Sequence, residues 1–445
     1  MDKAEAEALV RRFVALPRDK RRTFWSALRD NEIDLALLPI PGGIAVGERR
    51  EQSYAQRRMW LLWQLDREAS AYHIATAQRL GGALDAAALE EALLDLCRRH
   101  EALRTTFDDV DGSLAQLVHP EPRLDFARVD LGEDAARLGD LLRAGAAAPF
   151  DLAQGPLLRA SLIRLGEGEH VLQLVMHHII ADAWSLRVMV EDLSTFYAAR
   201  LAGAAAGLRA LEVQYSDYAL WQRSWLEAGE GERQLAWWKE RLGDGGQVLE
   251  LPTDRPRPAI WSYRGAVVRC VVPKATATAL GALAQRSRTT PFVVLLTAFA
   301  ALLHRWSGQE DLRIGVPVAN RTRAETEGLI GLFVNTLVLR GAVAGPMRFD
   351  ELLASARATT LEAQDHQDLP FERLVEALQP GRSLSSTPLF QVVHNHLDDR
   401  ADAGPELPEL EVSEIERGER AIGFDLALDT AETRSGRLYV ALTYA

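Results

Sequence analysis

The sequence predicts an α/β (α+β) chain whose two halves are both mixed in structure. Three observations predict this class. The chain has 445 residues, more than one ordinary hydrophobic core organises, since domains average roughly 100–200 residues. Its composition is that of a globular protein, with 47% hydrophobic and 26% charged residues. Segments with the periodicity of strands alternate with segments of helical periodicity along both halves.

The first half begins with a charged helical extension over residues 1–45. Residues 83–100 have apolar side chains at three- and four-residue spacing, which predicts an amphipathic helix. Residues 171–180 are short, apolar and β-branched at their edges, which predicts a mostly buried strand. The next predicted helix, 186–201, has Ser185 as a candidate cap. We expect the extension either to pack on this half or to dock an upstream partner.

The second half starts after residues 243–258, which are punctuated by glycine at one end and proline at the other and predict a linker. The alternation then resumes. A strand-like end at 436–445 without a cap or tail suggests that the chain is cut from a longer protein. The predicted organisation is a helical extension over 1–45, an N-terminal lobe over 46–242, the linker over 243–258 and a C-terminal lobe over 259–445 that is truncated at its end.

Charge and cysteine content exclude several classes of protein. Lys and Arg number 51 against 63 Asp and Glu, so the net charge is −12 and the overall basic footprint of a nucleic-acid binder is missing. Only Cys97 and Cys270 are present, which argues against a disulfide scaffold and a thiolate metal cage. The longest apolar stretch, 291–303, is shorter than the roughly 18–20 residues that cross a bilayer. We therefore expect a cytoplasmic protein without nucleic acid or membrane as partner.

One compact polar constellation stands out, MHHIIADAWS at 176–185. His177 and His178 lie near the end of a predicted strand, where adjacent side chains point to opposite faces, so one can pack while the other faces a cleft. A neutral imidazole there is suited to accept a proton, given its ordinary pKa of about 6.5. Asp182 can orient the turn by pairing with an arginine. From this pattern alone, a catalytic pair and two satisfied structural histidines carry equal weight.

The sequence evidence for other kinds of functional site is weaker. The chain has no H-E-x-x-H helix, and no third ligand can be named near the histidine pair. His394 and His396 share a strand face at i, i+2 and form a lesser metal candidate. Neither a G-x-S-x-G elbow nor a glycine-rich nucleotide loop is present. We predict no metal and no bound cofactor.

Seven ordered motifs resemble those of the condensation domains of non-ribosomal peptide synthetases, a family related in fold to chloramphenicol acetyltransferase. The central H-H-x-x-x-D-G motif is matched by His177, His178 and Asp182. The other matches are SYAQRRMWLL at 53–62, RHEALRTTF at 99–107, YSDYALWQ at 215–222, IGLFVNTLVLR at 330–340, HQDLPFERLVEAL at 366–378 and TPLFQV at 387–392. Two further family hallmarks are PFDLAQGPLLRA at 149–160 and GVPVANR at 315–321. The resemblance covers about residues 50–445.

This resemblance implies two acetyltransferase-like lobes in a V-shaped pseudo-dimer, with the active site in a tunnel between them. The α-amine of a carrier-bound acceptor would attack a donor acyl or peptidyl thioester and form an amide. The resemblance gives His178 the catalytic role, as general base or as positioner of the amine. It implies that His177 and Asp182 are structural, and Arg58 is the candidate salt-bridge partner of Asp182. Proximity of the two substrates could supply much of the rate, since a thioester is already activated.

Three neighbours of Asp182 complete the predicted active-site support: Ala183, Trp184 and Ser185. The family has glycine where this chain has Ala183. Glycine at such a turn usually serves a positive φ or a close approach to the backbone, so the methyl group is expected to strain the turn or narrow the tunnel. That implies an unusual substrate or reduced activity. Asn335 and Gln391, which lie in later motifs, are candidates for the tunnel wall.

The partners implied are donor and acceptor peptidyl carrier proteins, whose 4′-phosphopantetheine arms carry the substrates, and an adjacent adenylation domain of the same synthetase. Acyl-CoA replaces the donor if the domain is a starter. We expect a monomer that serves secondary-metabolite biosynthesis, such as that of an antibiotic, a siderophore or a lipopeptide. A second hypothesis stays open: a catalytically impaired platform that binds carrier or tailoring proteins, with Ala183 as its mark. Epimerisation, heterocyclisation and recruitment-type domains fit the motifs less well, and the last of these lose the second histidine that this chain keeps.

Overall fold

The chain folds into two compact units, each assembled from three stretches of sequence. A computed structural model describes residues 1–45, 49–132, 134–243, 246–257, 264–378, 387–398, 406–415, 420–421, 423–432 and 436–445. Unit 1 consists of Met1–Glu230, Arg321–Phe333 and Ala401–Glu416. Unit 2 consists of Gly231–Asn320, Val334–Arg400 and Arg417–Ala445. The units therefore interleave along the chain. The lobes predicted over 46–242 and 259–445 are, by contrast, each one contiguous stretch.

Helices and strands alternate in both units, and the predicted mixed fold class is confirmed. The α-helices are α1 (Lys3–Ala15), α2 (Arg18–Asp30), α3 (Tyr54–Leu65), α4 (Ala86–Arg99), α5 (Leu138–Ala147), α6 (Ala183–Ala202), α7 (Tyr215–Trp225), α8 (Gly231–Leu242), α9 (Lys274–Arg286), α10 (Pro291–Ser307), α11 (Ala324–Glu327), α12 (Phe349–Gln364) and α13 (Phe371–Leu378). The strands are β1 (Arg49–Glu51), β2 (His73–Gly82), β3 (Thr105–Val110), β4 (Ser113–Val118), β5 (Asp125–Asp130), β6 (Leu158–Gly166), β7 (Glu169–His177), β8 (Arg264–Val272), β9 (Asp311–Val318), β10 (Asn335–Ala342), β11 (Val392–Asp398), β12 (Leu410–Glu414), β13 (Arg420–Ala421), β14 (Leu426–Glu432) and β15 (Leu438–Tyr444).

Unit 1 contains a five-stranded sheet in the order β12-β2-β7-β6-β5 and a smaller sheet in the order β1-β4-β3. The central position of β7 follows from its sequence, because residues 171–177 are buried throughout and fit only where both faces are covered. β2 and β7 are antiparallel, and His73 lies directly opposite His177. The end of β7, where the polar constellation begins, is thus fixed by a neighbouring strand.

Strand β12 completes the edge of this sheet although it comes from the far end of the sequence. It pairs antiparallel with β2, with Val412 opposite Leu80. Four helices of unit 1, α1, α3, α4 and α6, begin at a side chain that caps them. Asp85 accepts hydrogen bonds from the N–H groups of Ala87 and Ala88 at the start of α4, as the predicted amphipathic helix requires.

The N-terminal extension packs on unit 1, which is the first of the two roles considered for it. Val10 and Phe13 of α1 are fully buried. The ring of Trp25 on α2 lies over Gly229, where an added Cβ would overlap it, and Gly229 has a φ of +139° that side-chain-bearing residues rarely adopt. Asp217 of α7 accepts a hydrogen bond of 2.9 Å from the N–H of Ala45. The extension is an integral layer of this unit.

Unit 2 is built on a seven-stranded sheet in the order β10-β9-β11-β14-β15-β8-β13. The apolar stretch 291–303 forms most of α10, whose buried face contributes Leu296, Phe299 and Leu303 to the core as predicted, while Leu302 on another face is exposed. The predicted linker 243–258 follows α8, and its residues 244–245 and 258 lie outside the described residues. Across the described ranges, no single helix meets the length and hydropathy needed to cross a membrane; α9 and α10 meet them only as a pair bent by 103°.

Candidate active site

The polar constellation lies where β7 leaves the middle of the unit 1 sheet. β7 ends at His177, and His178–Ile180 form one 3₁₀ turn before α6 begins. The predicted strand over 171–180 therefore stops three residues early, because the backbone turns at the second histidine. The N–H of His178 donates a hydrogen bond of 2.8 Å to the carbonyl of Tyr72, just before β2, which fixes the first residue of the turn.

His177 is buried and takes part in the turn. Its Nδ1 atom accepts a hydrogen bond of 3.1 Å from the N–H of Ile179. Burial, with smaller contributions from the nearby rings of His73 and His178, lowers the pKa of His177 to about 3. The ring thus stays neutral, with Nδ1 as acceptor, and the structural role that the family resemblance implies for it stays a prediction.

His178 is half-buried and, unlike His177, lies on the 3₁₀ turn and not in the strand. Burial lowers its pKa below the ordinary value, while the carboxylate of Asp182 and the backbone carbonyls of His178 and Ala181 oppose the shift. The positive charge of Arg58 on α3 lowers this pKa a little further. Within the described ranges, the buried Nδ1 atom has no hydrogen-bond partner of normal geometry. At neutral pH, His178 is therefore a neutral imidazole that can accept a proton.

Asp182 is the N-cap of α6, a role for which the sequence had suggested Ser185. Its Oδ1 atom accepts hydrogen bonds from the N–H (2.8 Å) and the hydroxyl (2.7 Å) of Ser185. Its Oδ2 atom accepts one from the N–H of Phe333 (2.9 Å). The carboxylate also forms an ion pair of 3.2 Å with Arg321, and the two side chains are only 2% and 1% exposed. A buried charge needs such compensation, because an unpaired one is strongly destabilising.

The structure shows an ion pair of Asp182 with an arginine that the sequence patterns did not single out. That arginine is Arg321, the last residue of the GVPVANR hallmark, and a contact of Asp182 with Arg58 stays a prediction. Arg321 also donates hydrogen bonds to the carbonyls of Thr326 and Leu329, and its guanidinium lies 4.0 Å from the ring centre of Phe333. Arg321 thus also holds a folded segment in place, which satisfies several of its guanidinium donors.

Ser185 and Trp184 join the same network. The hydroxyl of Ser185 lies 2.9 Å from the carbonyl of Gly331, and the N–H of Gly331 donates to it at 3.0 Å. The indole N–H of Trp184 donates to the carbonyl of Glu327 (2.8 Å), and the guanidinium of Arg187 lies 4.0 Å from its ring centre. The start of α6 thus anchors segment 321–333.

Ala183 is not strained. It is the first residue of α6, its side chain is exposed, and it is absent from the residues with positive φ. The expectation that the methyl group strains the turn is therefore wrong, because a helical conformation accepts any L-residue. The other expected effect, that the volume of this exposed methyl group narrows the tunnel, stays a prediction.

Comparison with known proteins identifies the family. A family model described as "Condensation domain" matches residues 50–445. The chain belongs to the condensation domain family. A linear gramicidin synthase of Brevibacillus parabrevis is 45% identical to this domain over 391 residues, which are 86% of the chain and 5% of that protein. Phosphinothricin tripeptide synthetase PhsC of Streptomyces viridochromogenes is 42% identical over 397 residues, which are 87% of the chain and 36% of that protein.

The condensation domain also matches solved structures. The X-domain from teicoplanin biosynthesis, solved in complex with OxyB, is 32% identical with a TM-score of 0.81, covering 92% of this chain and 90% of that one. The acetyltransferase-like fold is therefore confirmed, as is the family prediction. Condensation domains of non-ribosomal peptide synthetases form amide bonds, so the enzyme class is acyltransferase. The chain spans about one twentieth of the length of the gramicidin synthase that it matches.

Two residues predicted for the tunnel wall of this condensation domain have their amide groups engaged elsewhere. The side-chain nitrogen of Asn335 donates to the carbonyls of Gln367 (2.7 Å) and Leu369 (2.8 Å) within unit 2. The side-chain oxygen of Gln391 accepts from the N–H of Leu249 (2.7 Å). These contacts hold the loops of unit 2 and lend no support to a tunnel role, which stays a prediction.

The histidine pair of the second half shares a face, as its spacing predicted. His394 and His396 both lie within hydrogen-bond distance of the hydroxyl of Thr430, at 3.2 and 2.9 Å. Burial lowers the pKa of His394 to about 3. Among the described residues, no group of three or more His, Cys, Asp or Glu side chains is placed to hold a metal ion.

The local sequence patterns did not predict how the first, fourth and fifth motifs meet. Ser53 caps α3, its hydroxyl lies 2.8 Å from the hydroxyl of Tyr215, and Tyr215 donates to the carbonyl of Leu332 (2.6 Å). An added Cβ on Gly331 would overlap the ring of Tyr215. The S-x-x-Q spacing is that of a capping box at a helix start, but nothing local indicates its tyrosine partner.

Proposed function

We propose that this condensation domain transfers the acyl group of a donor thioester to the α-amine of an acceptor aminoacyl thioester, with His178 as general base. The amine nitrogen bonds to the carbonyl carbon while the carbon–sulfur bond breaks. The proton that the amine loses passes to His178 and then to the departing sulfur. The products are one amide and one thiol.

The observation that carries this proposal is the state of His178. It is half-buried on a turn held through its own N–H and through the ring of its neighbour His177. Its pKa is lowered mainly by burial, so the imidazole is neutral near pH 7 and free to accept a proton. The carboxylate of Asp182, four residues further on, is held by its ion pair with Arg321.

The substrates in this proposal are carried on 4′-phosphopantetheine arms of a donor and an acceptor peptidyl carrier protein. An adenylation domain of the same synthetase would load the acceptor. The support for these partners is that the curated relatives are synthases and synthetases much longer than this chain. Acyl-CoA is the alternative donor, since it offers the same thioester on the same kind of arm.

A single-turnover assay tests the proposal. The domain is mixed with an acyl-loaded donor carrier, or with acyl-CoA, and with an aminoacyl-loaded acceptor carrier, and the amide product is followed by mass spectrometry. We expect His178→Ala to slow product formation about 10²- to 10⁴-fold, the usual contribution of general base catalysis. His170→Ala, a histidine at the other end of β7, is the matched control and should stay active. Equal rates for wild type and His178→Ala would overturn the proposed mechanism.

One comparison supports a second candidate, a platform that binds a tailoring protein without catalysing condensation. The X-domain of teicoplanin biosynthesis is similar in fold and has been solved in complex with OxyB. The intact arrangement of His177, His178 and Asp182 favours the catalytic function instead. In the same assay, no amide product from wild type with any donor, together with tight binding of OxyB in a pull-down, would favour the platform.

A further inference from the structure

We infer that His73 is a positioning residue for His178 and acts through His177, an inference that rests on the proposed function. His73 is the first residue of β2, and the family motifs matched in this sequence do not include it. The register of β2 and β7 places it directly opposite His177. A third imidazole therefore lies beside the histidine pair, contributed by the neighbouring strand.

The ring of His73 is held in a fixed orientation from two sides. Its Nδ1 atom lies 2.9 Å from the carbonyl of Ala146, near the end of α5, where helix carbonyls lack partners within the helix. Its ring centre lies 5.0 Å from that of Phe150, with the planes at 82°. The hydrogen bond and the edge contact together leave the ring little freedom to rotate.

The ring so fixed sets the orientation of His177. The ring centres of His73 and His177 are 5.9 Å apart with the planes at 67°, and Phe150 meets His177 at 6.3 Å and 83°. These edge-to-face contacts hold the His177 ring where its Nδ1 atom accepts the N–H of Ile179. That hydrogen bond closes the turn that carries His178.

The residue next to His73 holds the same turn through the backbone. The carbonyl of Tyr72 accepts the N–H of His178 at 2.8 Å, and the N–H of His73 donates to the carbonyl of Ser70 at 3.0 Å. Two adjacent residues, the last before β2 and the first of β2, thus fix both histidines, one through its carbonyl and the other through its ring. A small shift of a catalytic group is costly, since a displacement of about 1 Å can reduce a rate about 100-fold.

Histidine is suited to this position because it combines two properties. Its N–H satisfies the carbonyl of Ala146, and its aromatic edge meets Phe150 and His177. Burial lowers the pKa of His73, so the ring is neutral at pH 7 and places no charge beside His177. Asparagine can keep the hydrogen bond but has no ring, and phenylalanine can keep the ring but has no donor.

Steady-state kinetics of the whole domain test the inference with His73→Asn and His73→Phe. We expect each variant to lower kcat about 10- to 100-fold while KM for both carrier-bound substrates stays within about twofold. The control is His170→Asn, which changes a histidine of the same strand pair, opposite Leu80 at the far end, and should keep the wild-type kcat. A thermal unfolding measurement on each variant is the check that it is folded before its kinetics are compared.

A second measurement reports on the position of the ring itself. In protein labelled with ¹⁵N-histidine, long-range ¹H–¹⁵N correlation spectra distinguish the Nδ1–H and Nε2–H tautomers. We expect His177 to show the Nε2–H tautomer in the wild type and a mixture in both His73 variants, a change that loss of stability alone does not produce. If His178→Ala is as active as wild type, the proposed function fails. If His178→Ala is inactive but both His73 variants keep the wild-type kcat and His177 signals, the proposed function stands and the inference about His73 is overturned.

Discussion

His177 and His178 are joined by one peptide bond, yet their environments give them different chemistry. The first is buried, with its Nδ1 lone pair committed to the N–H of Ile179. The second sits on the turn, half-buried, with the charges of Asp182 and Arg58 acting on it in opposite directions. The strand ends between them, since His177 is the last residue of β7 and His178 is the first residue of the 3₁₀ turn. The turn then rotates His178 out of the sheet.

This environment predicts the pH dependence of the condensation reaction. A general base must be unprotonated, so the rate rises with pH through the pKa of His178 and then levels off. Because that pKa is lowered, we expect the midpoint of the acid limb of kcat below pH 6.5 and a flat profile from about pH 7 upward. Single-turnover rates in buffers of constant ionic strength measure it.

Arg58 offers a sharper version of this test. Its positive charge lowers the pKa of His178, so Arg58→Gln should move the midpoint of the acid limb to higher pH. His178→Ala is the control and should lose the limb. A midpoint at or above pH 6.5 in the wild type, or a shift to lower pH in Arg58→Gln, would contradict the assignment of the limb to His178.

At the scale of elements, the start of α6 and segment 321–333 are held together by a set of hydrogen bonds. Asp182, Trp184 and Ser185 each accept from or donate to this segment, and Tyr215 of α7 holds its far end at Leu332. The segment passes so close to α7 that only glycine fits at position 331. The aspartate of the central H-H-x-x-x-D motif therefore also serves to hold segment 321–333 in place.

Gly331→Ala tests how tightly this segment is held. Its Cβ would overlap the ring of Tyr215, and overpacking of this kind costs about 1–3 kcal/mol. Gly328→Ala is the matched control in the same segment, because its Cβ would meet Leu211 at an ordinary 3.8 Å. Urea unfolding followed by tryptophan fluorescence should show a lower midpoint for Gly331→Ala only. Equal midpoints for the two variants would show that α7 and the segment are loosely packed.

Across the whole molecule, local patterns predicted elements and motifs but not how distant segments meet. The helix at α4 and the strand at β15 followed from periodicity, and the histidine motif followed from its letters. The partner of Asp182 did not, because Arg321 lies 139 residues away and no local pattern distinguishes it from Arg58. The interleaving of the units is of the same kind, since β12 reaches the sheet of unit 1 from beyond residue 400. Such contacts depend on tertiary packing, which one sequence does not encode in any short window.

Interleaving makes a prediction about fragments of the chain. A fragment of residues 1–230 lacks Arg321 and β12, so Asp182 loses its ion pair with Arg321 and β2 loses its outer neighbour. Removing one partner of a buried pair costs about 3–5 kcal/mol, and an open strand edge invites aggregation. We expect this fragment to lack a cooperative thermal transition in circular dichroism, and co-expression with residues 231–445 to restore a soluble complex with the transition of the full chain. If the fragment unfolds cooperatively with the same thermal midpoint as the full chain, segment 321–333 and β12 are dispensable for the stability of unit 1.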